Sequence, residues 1–184
     1  VKGLIQEGGR EIVGIGEVGI PYYSVRGSPK APAKMEAAGL TLAEFASLSR
    51  SRNLAIVVHA PHEAAPYALK ALKEANVRRA LFHWHKASDQ VTKAIVDEGY
   101  YVSVTPEVCY EERDQNLVRS ISLSSLVVET DGPWRYESEF GGAVAEPTML
   151  KAVVQEVARI RNEPLREVSE RLVQNTIELF GIKL

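Results

Sequence analysis

Short apolar runs alternate along this chain with longer stretches in which apolar residues recur every three or four positions. The runs include Ile12-Val13-Gly14-Ile15-Gly16, Leu54-Ala55-Ile56-Val57-Val58, Ala80-Leu81-Phe82, the stretch from Tyr100 to Val104, and Leu126-Val127-Val128. Near-continuous apolar runs of this length are what strands buried on both faces require. They predict strands over residues 11–16, 54–58, 80–82, 100–104 and 125–129. Between them lie helical patterns. Leu40, Leu42, Ala43, Phe45, Ala46 and Leu48 mark one, after a loop rich in proline and glycine (Pro21, Gly27, Pro29, Pro32). Others are predicted over 63–75, 89–98 with Gly99 as the stop, 111–119, and 147–161 with Pro147 in the first turn. Pro164 opens a further helix, and 175–180 forms the last turn or two.

Strands that alternate with helices form a parallel sheet covered by helices. The period is steady: His59 to His83 is 24 residues, His83 to Thr105 is 22, and Thr105 to Asp131 is 26. An eight-unit α/β barrel takes about 250 residues, or about 31 per unit, so this chain is short by roughly two units. The expected fold is therefore α/β and TIM-barrel-like but incomplete, with about six of eight βα units, as a single domain over 1–184. Such a barrel would expose two sheet edges. Upstream residues beyond Val1, or a second copy of the chain, are expected to cover them.

Composition narrows the reading without deciding it. The chain has 184 residues with 45% hydrophobic and 25% charged content, ordinary for a soluble domain with a real core. A net charge of −2 argues against strong nonspecific attraction to nucleic acid over the whole surface. The lone Cys109 excludes an internal disulfide framework and a cysteine-rich zinc site. No apolar stretch approaches the roughly 20 residues that span a bilayer, and Val1-Lys2-Gly3-Leu4 is too short and polar for a signal peptide. A cytoplasmic location without membrane partners is the expectation.

The candidate chemistry lies at the ends of the apolar runs, where Glu17, His59, His83 and Asp131 follow predicted strands. A barrel gathers such ends at one rim, where its active sites sit. Glu17 stands in Gly14-Ile15-Gly16-Glu17-Val18-Gly19-Ile20, where glycines leave room for an ion or ligand to approach closely, or for a simple turn with a solvated Glu. The same glycines formally match a dinucleotide fingerprint, but Pro21 and the loop after it stand where the phosphate-binding helix should begin. Two histidines one βα period apart fit metal ligation better than two separate core histidines. Asp131, before Gly132-Pro133, suits a metal ligand, a proton acceptor from attacking water, or a turn cap. Glu129 is expected on the opposite face of its strand as an ion-pair partner. His62 and His85 lie just beyond their strands, facing substrate, supporting the ligands, or merely exposed. Trp134 and Arg135 suit base stacking and a phosphate contact, or a surface packing pair.

Gly16-Glu17-Val18-Gly19-Ile20, Val57-Val58-His59-Ala60-Pro61, Leu81-Phe82-His83-Trp84, Glu129-Thr130-Asp131-Gly132-Pro133 and Asn175-Thr176-Ile177-Glu178-Leu179-Phe180-Gly181 together resemble, in order, the motif series of TatD-like metal-dependent hydrolases. The resemblance spans essentially the whole chain. It implies an amidohydrolase-type barrel with one or two divalent ions (Zn, Mg or Mn) and hydrolysis of phosphodiesters, DNA above all. Glu17 would bridge two metals, His59 and His83 would complete one site, and Asp131 would hold the other ion and orient or deprotonate the attacking water. Three departures stand out. The family's early His-x-His pair is not found in its expected place, although His83-Trp84-His85 has its spacing. Pro21 stands where an Asp is usual, and His62 where an Arg often follows. A catalytically degenerate barrel acting through assembly, and a related amide or lactone hydrolase, are the alternatives to a nuclease.

Overall fold

The computed structural model describes residue 3 and residues 12–183. Glu11, where the first predicted strand begins, and the opening Val1, Lys2 and Leu4 lie outside them. The chain divides into two compact units. One comprises Val1–Phe82 with Ile177–Leu184, and the other His83–Thr176.

The first unit holds three parallel strands, hydrogen-bonded in the order β1 (Gly14–Gly19), β2 (Ala55–His59) and β3 (Ala80–Phe82). A helical turn, α1 (Tyr22–Val25), follows β1. The long α2 (Ala31–Arg52) leads into β2, and α3 (Ala65–Glu74) follows it after a 3-10 turn at His62–Ala64. Parallel neighbours need a crossover, and these helices supply it. Pro32, read from sequence as part of the loop, sits in the first turn of α2, where its missing N–H is not needed. Asn53 ends α2 in the left-handed conformation with φ 52°, which asparagine tolerates better than most residues. Ile15, Leu42, Ile56, Val58, Leu72 and Phe82 are buried here. Each such side chain contributes about 1.5–3 kcal/mol relative to exposure.

β1 carries one residue more than its partner. Ile15 pairs with Ile56, but Val18, three positions on, pairs with Val58, only two positions on. The extra residue is a bulge and lies at Gly16-Glu17, so β1 begins and ends later than the run 11–16 suggests. A Cβ on Gly16 would come within 2.7 Å of the Val57 Cβ, and one on Gly19 would overlap the His59 carbonyl oxygen. Gly16 and Gly19 therefore make room for β2 itself. That corrects the expectation that they clear an approach for a ligand, and it disposes of the dinucleotide fingerprint, because all three of its glycines lie within a strand.

The second unit pairs β4 (Tyr101–Val104) with β5 (Leu126–Val128), again in parallel. Its helices are α4 (Asp89–Asp97), α5 (Glu112–Ser120), α6 (Leu150–Arg161) and the start of α7 (Leu165–Phe180). Gly99, with φ +77°, follows α4 as the sequence predicts. Residues 175–180 continue α7 without a break. A short antiparallel hairpin, β6 (Arg135–Tyr136) with β7 (Ala143–Val144), follows β5 and has no counterpart in the sequence reading. Its anchor is Tyr136, wholly buried, whose hydroxyl donates to the Thr130 carbonyl at 2.8 Å. Among the described residues no helix is long and apolar enough to cross a membrane.

Candidate metal centre

In the first unit Glu17 and His59 meet. His59 Nδ1 lies 3.3 Å from Glu17 Oε1, with both side chains partly exposed. The β1 bulge and the Ile20 N–H, which donates to the His59 carbonyl at 2.8 Å, fix the two strand ends against each other. Beside this pair stands an aromatic cluster. Tyr23 is 6.3 Å from the His59 ring and 6.0 Å from the His62 ring, and Tyr22 is 5.1 Å from His62. His62 takes a left-handed φ of 52° just after Pro61, and Arg26 lies over the Tyr23 ring at 5.4 Å. The Tyr22 hydroxyl donates to Glu63, which raises the tyrosine's pKa and lowers the carboxylate's. Tyr23 is exposed. Sequence reasoning passed it over, although a Tyr-Tyr pair beginning five residues beyond a candidate ligand was the available signal.

In the second unit His83, Glu129 and Asp131 converge, with one donor atom of each within 4.8 Å of the others. His83 is buried; its Nδ1 lies 3.5 Å from Glu129 Oε2 and 4.0 Å from Asp131 Oδ1. The expectation for Glu129 is corrected here. It lies just past the end of β5 and, like Asp131, reaches the His83 ring. Glu129 is tied on its other oxygen by the Trp84 N–H at 2.7 Å and by the Ser103 hydroxyl. Burial pushes its pKa up, but His83, Ser103 and the Trp84 amide outweigh that and hold it below the usual carboxylate range.

Two residues at this cluster have left-handed backbones, Trp84 at φ 40° and Asp131 at φ 44°. Aspartate visits this region readily; a bulky indole does not. What holds Trp84 is its ring. Nε1 donates to Glu107 at 3.1 Å, and the Lys86 ammonium sits 3.7 Å from the ring centroid while also lying 3.5 Å from Glu107. Burial lowers the Lys86 pKa. The exposed Trp134 meets Trp84 edge-on with ring centroids 5.2 Å apart. Arg135 is spent on its own hairpin, donating to the Gly142 carbonyl at 2.9 Å. His85 is not a substrate-facing group. It is 3% exposed, with Nε2 2.8 Å from the Thr92 hydroxyl. Thr92 gives its own proton to the Ser88 carbonyl, so His85 is the donor, and the contact ties the loop after β3 to α4.

Glu107 also pairs with Arg113 at 2.6 Å, and Arg113 Nε with Asp114 at 2.7 Å. Asp114 is 1% exposed, and its second oxygen has no hydrogen-bond partner among the described residues. Burial raises its pKa, outweighing Arg113. The folded state thus favours the protonated form. Its contribution to stability is complete at acid pH, below the ordinary aspartate pKa, and is lost as pH rises through the raised folded value. Asp114→Asn keeps the oxygen that Arg113 uses. The variant is expected to match the parent at acid pH and to gain on it as pH rises through the raised value. Urea midpoints across that range check this, and a less stable variant at neutral pH would refute it.

The donors brought together are imidazole nitrogens and carboxylate oxygens, a set that suits zinc, manganese or magnesium. The residues therefore fit a divalent cation.

A family model described as TatD related DNase matches residues 4–181. The chain belongs to the TatD-related DNase family. An uncharacterized metal-dependent hydrolase of Haemophilus influenzae is 30% identical over 97% of this chain and 69% of its own length. Human deoxyribonuclease TATDN3 is 26% identical over 92% of this chain and 60% of its own. The crystal structure of the TatD homologue YjjV of Escherichia coli superposes with a TM-score of 0.84 at 22% identity, covering 99% of this chain and 69% of that one. The chain thus spans about two thirds of the length of these relatives. The TatD membership makes it a metal-dependent hydrolase with the α/β, TIM-barrel-like fold expected from its sequence.

Proposed function

We propose that this TatD-family chain hydrolyses DNA phosphodiester bonds, with Glu17, His59, His83 and Asp131 as the ligands of one or two divalent ions. The observation that carries the reading is the convergence of His83 with Asp131 within one unit; within the other, Glu17 meets His59 at the ends of β1 and β2. The deoxyribonuclease relative TATDN3 supports DNA as the substrate class. A divalent ion bound there supplies Lewis acidity to a phosphoryl oxygen and makes water a better nucleophile near neutral pH. The chain's own part is positional. Glu17 and the histidines fix the ion, and Asp131, on a backbone held in one conformation, orients water and accepts its proton. Tyr23, exposed beside His59, and Trp134, exposed above Trp84, offer faces on which bases can stack. His62 lies against both tyrosines and would shape that contact; Arg135 and His85 would take no direct part.

The test is cleavage of end-labelled oligodeoxynucleotides, beside RNA, amide and lactone substrates, by protein stripped with a chelator and then reloaded with Zn²⁺, Mn²⁺ or Mg²⁺. DNA cleavage that disappears on stripping and returns with one of these ions is expected. Amide or lactone turnover without DNA cleavage would move the chain to another hydrolase class. No turnover with any ion would favour a degenerate barrel that works through assembly.

A further inference from the structure

We propose that Glu129 sets the tautomer of His83: it accepts the Nδ1–H and so leaves the Nε2 lone pair as the atom the ring offers to a cation. The inference rests on the reading of His83 as a metal ligand and adds to it a positioning residue that the four-ligand set lacks.

Four contacts carry it. His83 Nδ1 faces Glu129 Oε2 at 3.5 Å, closer than Asp131 Oδ1 at 4.0 Å. Glu129 cannot readily turn away, because Oε1 takes both the Trp84 N–H at 2.7 Å and the Ser103 hydroxyl proton. The Trp84 N–H is shared with the Ser103 oxygen at 2.9 Å, while the Ser103 hydroxyl gives its own proton to Glu129. Ser103 is wholly buried in β4 and the His83 side chain nearly so. The Trp84 amide is aimed at Glu129 by its unusual backbone, φ 40°, which the bonded and cation-covered indole holds in place. A neutral imidazole has one N–H; the nitrogen that donates leaves the other as acceptor. Histidines that ligate metals commonly hand their second ring N–H to a carboxylate, which fixes both tautomer and ring orientation. Glu129 is thus a positioning residue, and Ser103 with the Trp84 amide holds it in place.

The experiment reads the tautomer directly, without metal or substrate. In ¹⁵N-labelled protein stripped of metal, at a pH of about 8.5 where imidazole is neutral, the His83 ring is expected to be protonated on Nδ1. In Glu129→Gln the carboxamide oxygen stays with Ser103 and the Trp84 amide, so its NH₂ group faces Nδ1. Nδ1 must then accept, and the proton moves to Nε2. Zn²⁺ affinity measured by calorimetry is expected to fall about 10–100-fold in the same variant. Ser103→Ala, a small change in a buried strand, should keep the Nδ1–H tautomer and weaken Zn²⁺ less. An Nε2–H tautomer in the parent protein overturns the proposal even if Glu129→Gln does not fold. So does a Glu129→Gln protein with tautomer and Zn²⁺ affinity both unchanged. An Nδ1–H tautomer in a protein that binds no Zn²⁺ would instead sink the ligand reading and leave the orienting contact standing.

Discussion

Asp131→Asn is expected to lower metal-dependent DNA hydrolysis by about 10²–10⁴-fold, the range a general acid or base commonly contributes, while leaving the protein folded. Asparagine is the informative replacement. Asp131 sits at φ 44°, a conformation asparagine accepts, whereas alanine there would add a backbone cost of about 1–2 kcal/mol and confuse the reading. The change keeps the size of the side chain and the backbone carbonyl that accepts the Trp134 N–H at 3.0 Å. It removes one of two carboxylates gathered around His83. Without metal those carboxylates repel each other, so the stripped variant should melt at or above the temperature of the stripped parent. Added metal should then stabilise the parent more than the variant, because binding to the folded state raises stability by mass action. Lost activity with undiminished metal-free stability marks a group kept for chemistry. If oligonucleotide turnover survives intact, Asp131 is a turn cap and nothing more.

Asn175→Leu is expected to destabilise the fold by about 3 kcal/mol, a fall of about 6–12 °C in melting temperature for a chain of this size. Asn175 is wholly buried on α7, and its side-chain amide donates to the carbonyls of Leu123 and Leu126, both at 2.7 Å. Those carbonyls flank the start of β5, three residues before Glu129. Leucine fills similar space but takes this donor from the buried Leu126 carbonyl, at about 1–3 kcal/mol, and one of two donors from the Leu123 carbonyl, which keeps the Leu126 N–H. Asn175→Asp should be at least as damaging, since a carboxylate would face two carbonyl oxygens. Circular dichroism melts check both, and a fall of less than about 2 °C for Asn175→Leu would show that α7 does not depend on these bonds. The residue thus has a structural reason for its place in the C-terminal motif.

Where hydrophobic periodicity governs an element, the sequence was legible. β3 at Ala80–Phe82 lies where the apolar run predicts, and β2, β4, β5, α4 and α5 fall within a residue or so of expectation. The misses have local causes. β1 was displaced toward Gly19 because a bulge depends on which strand lies alongside, and the glycine-rich run reads equally well as a turn. The β6–β7 hairpin has two residues in each strand, too few to show alternation; it exists because Tyr136 finds the Thr130 carbonyl in a buried place. α7, opened by Pro164 and with residues 175–180 as its last turns, is no miss and follows the expectation. Glu129 was misassigned because β5 ends at Val128, so strand alternation no longer governs where residues 129–131 turn their side chains. Ser103, a small polar residue between Val102 and Val104, was a visible signal that a buried polar contact waited there.

What the linear order of residues decided was the alternation of strands and helices, the family, and the set of donor-bearing residues placed just after apolar runs. Those depend on short-range spacing, and spacing is written in the chain. Only the folded structure decided which oxygen of Glu129 is occupied, that His85 turns inward to Thr92 while His83 meets two carboxylates, and that Gly16 and Gly19 yield their space to β2. Each of these is a contact between residues tens of positions apart or a choice among side-chain directions. Such choices depend on what the rest of the fold brings within hydrogen-bonding or van der Waals reach, and no local pattern encodes that.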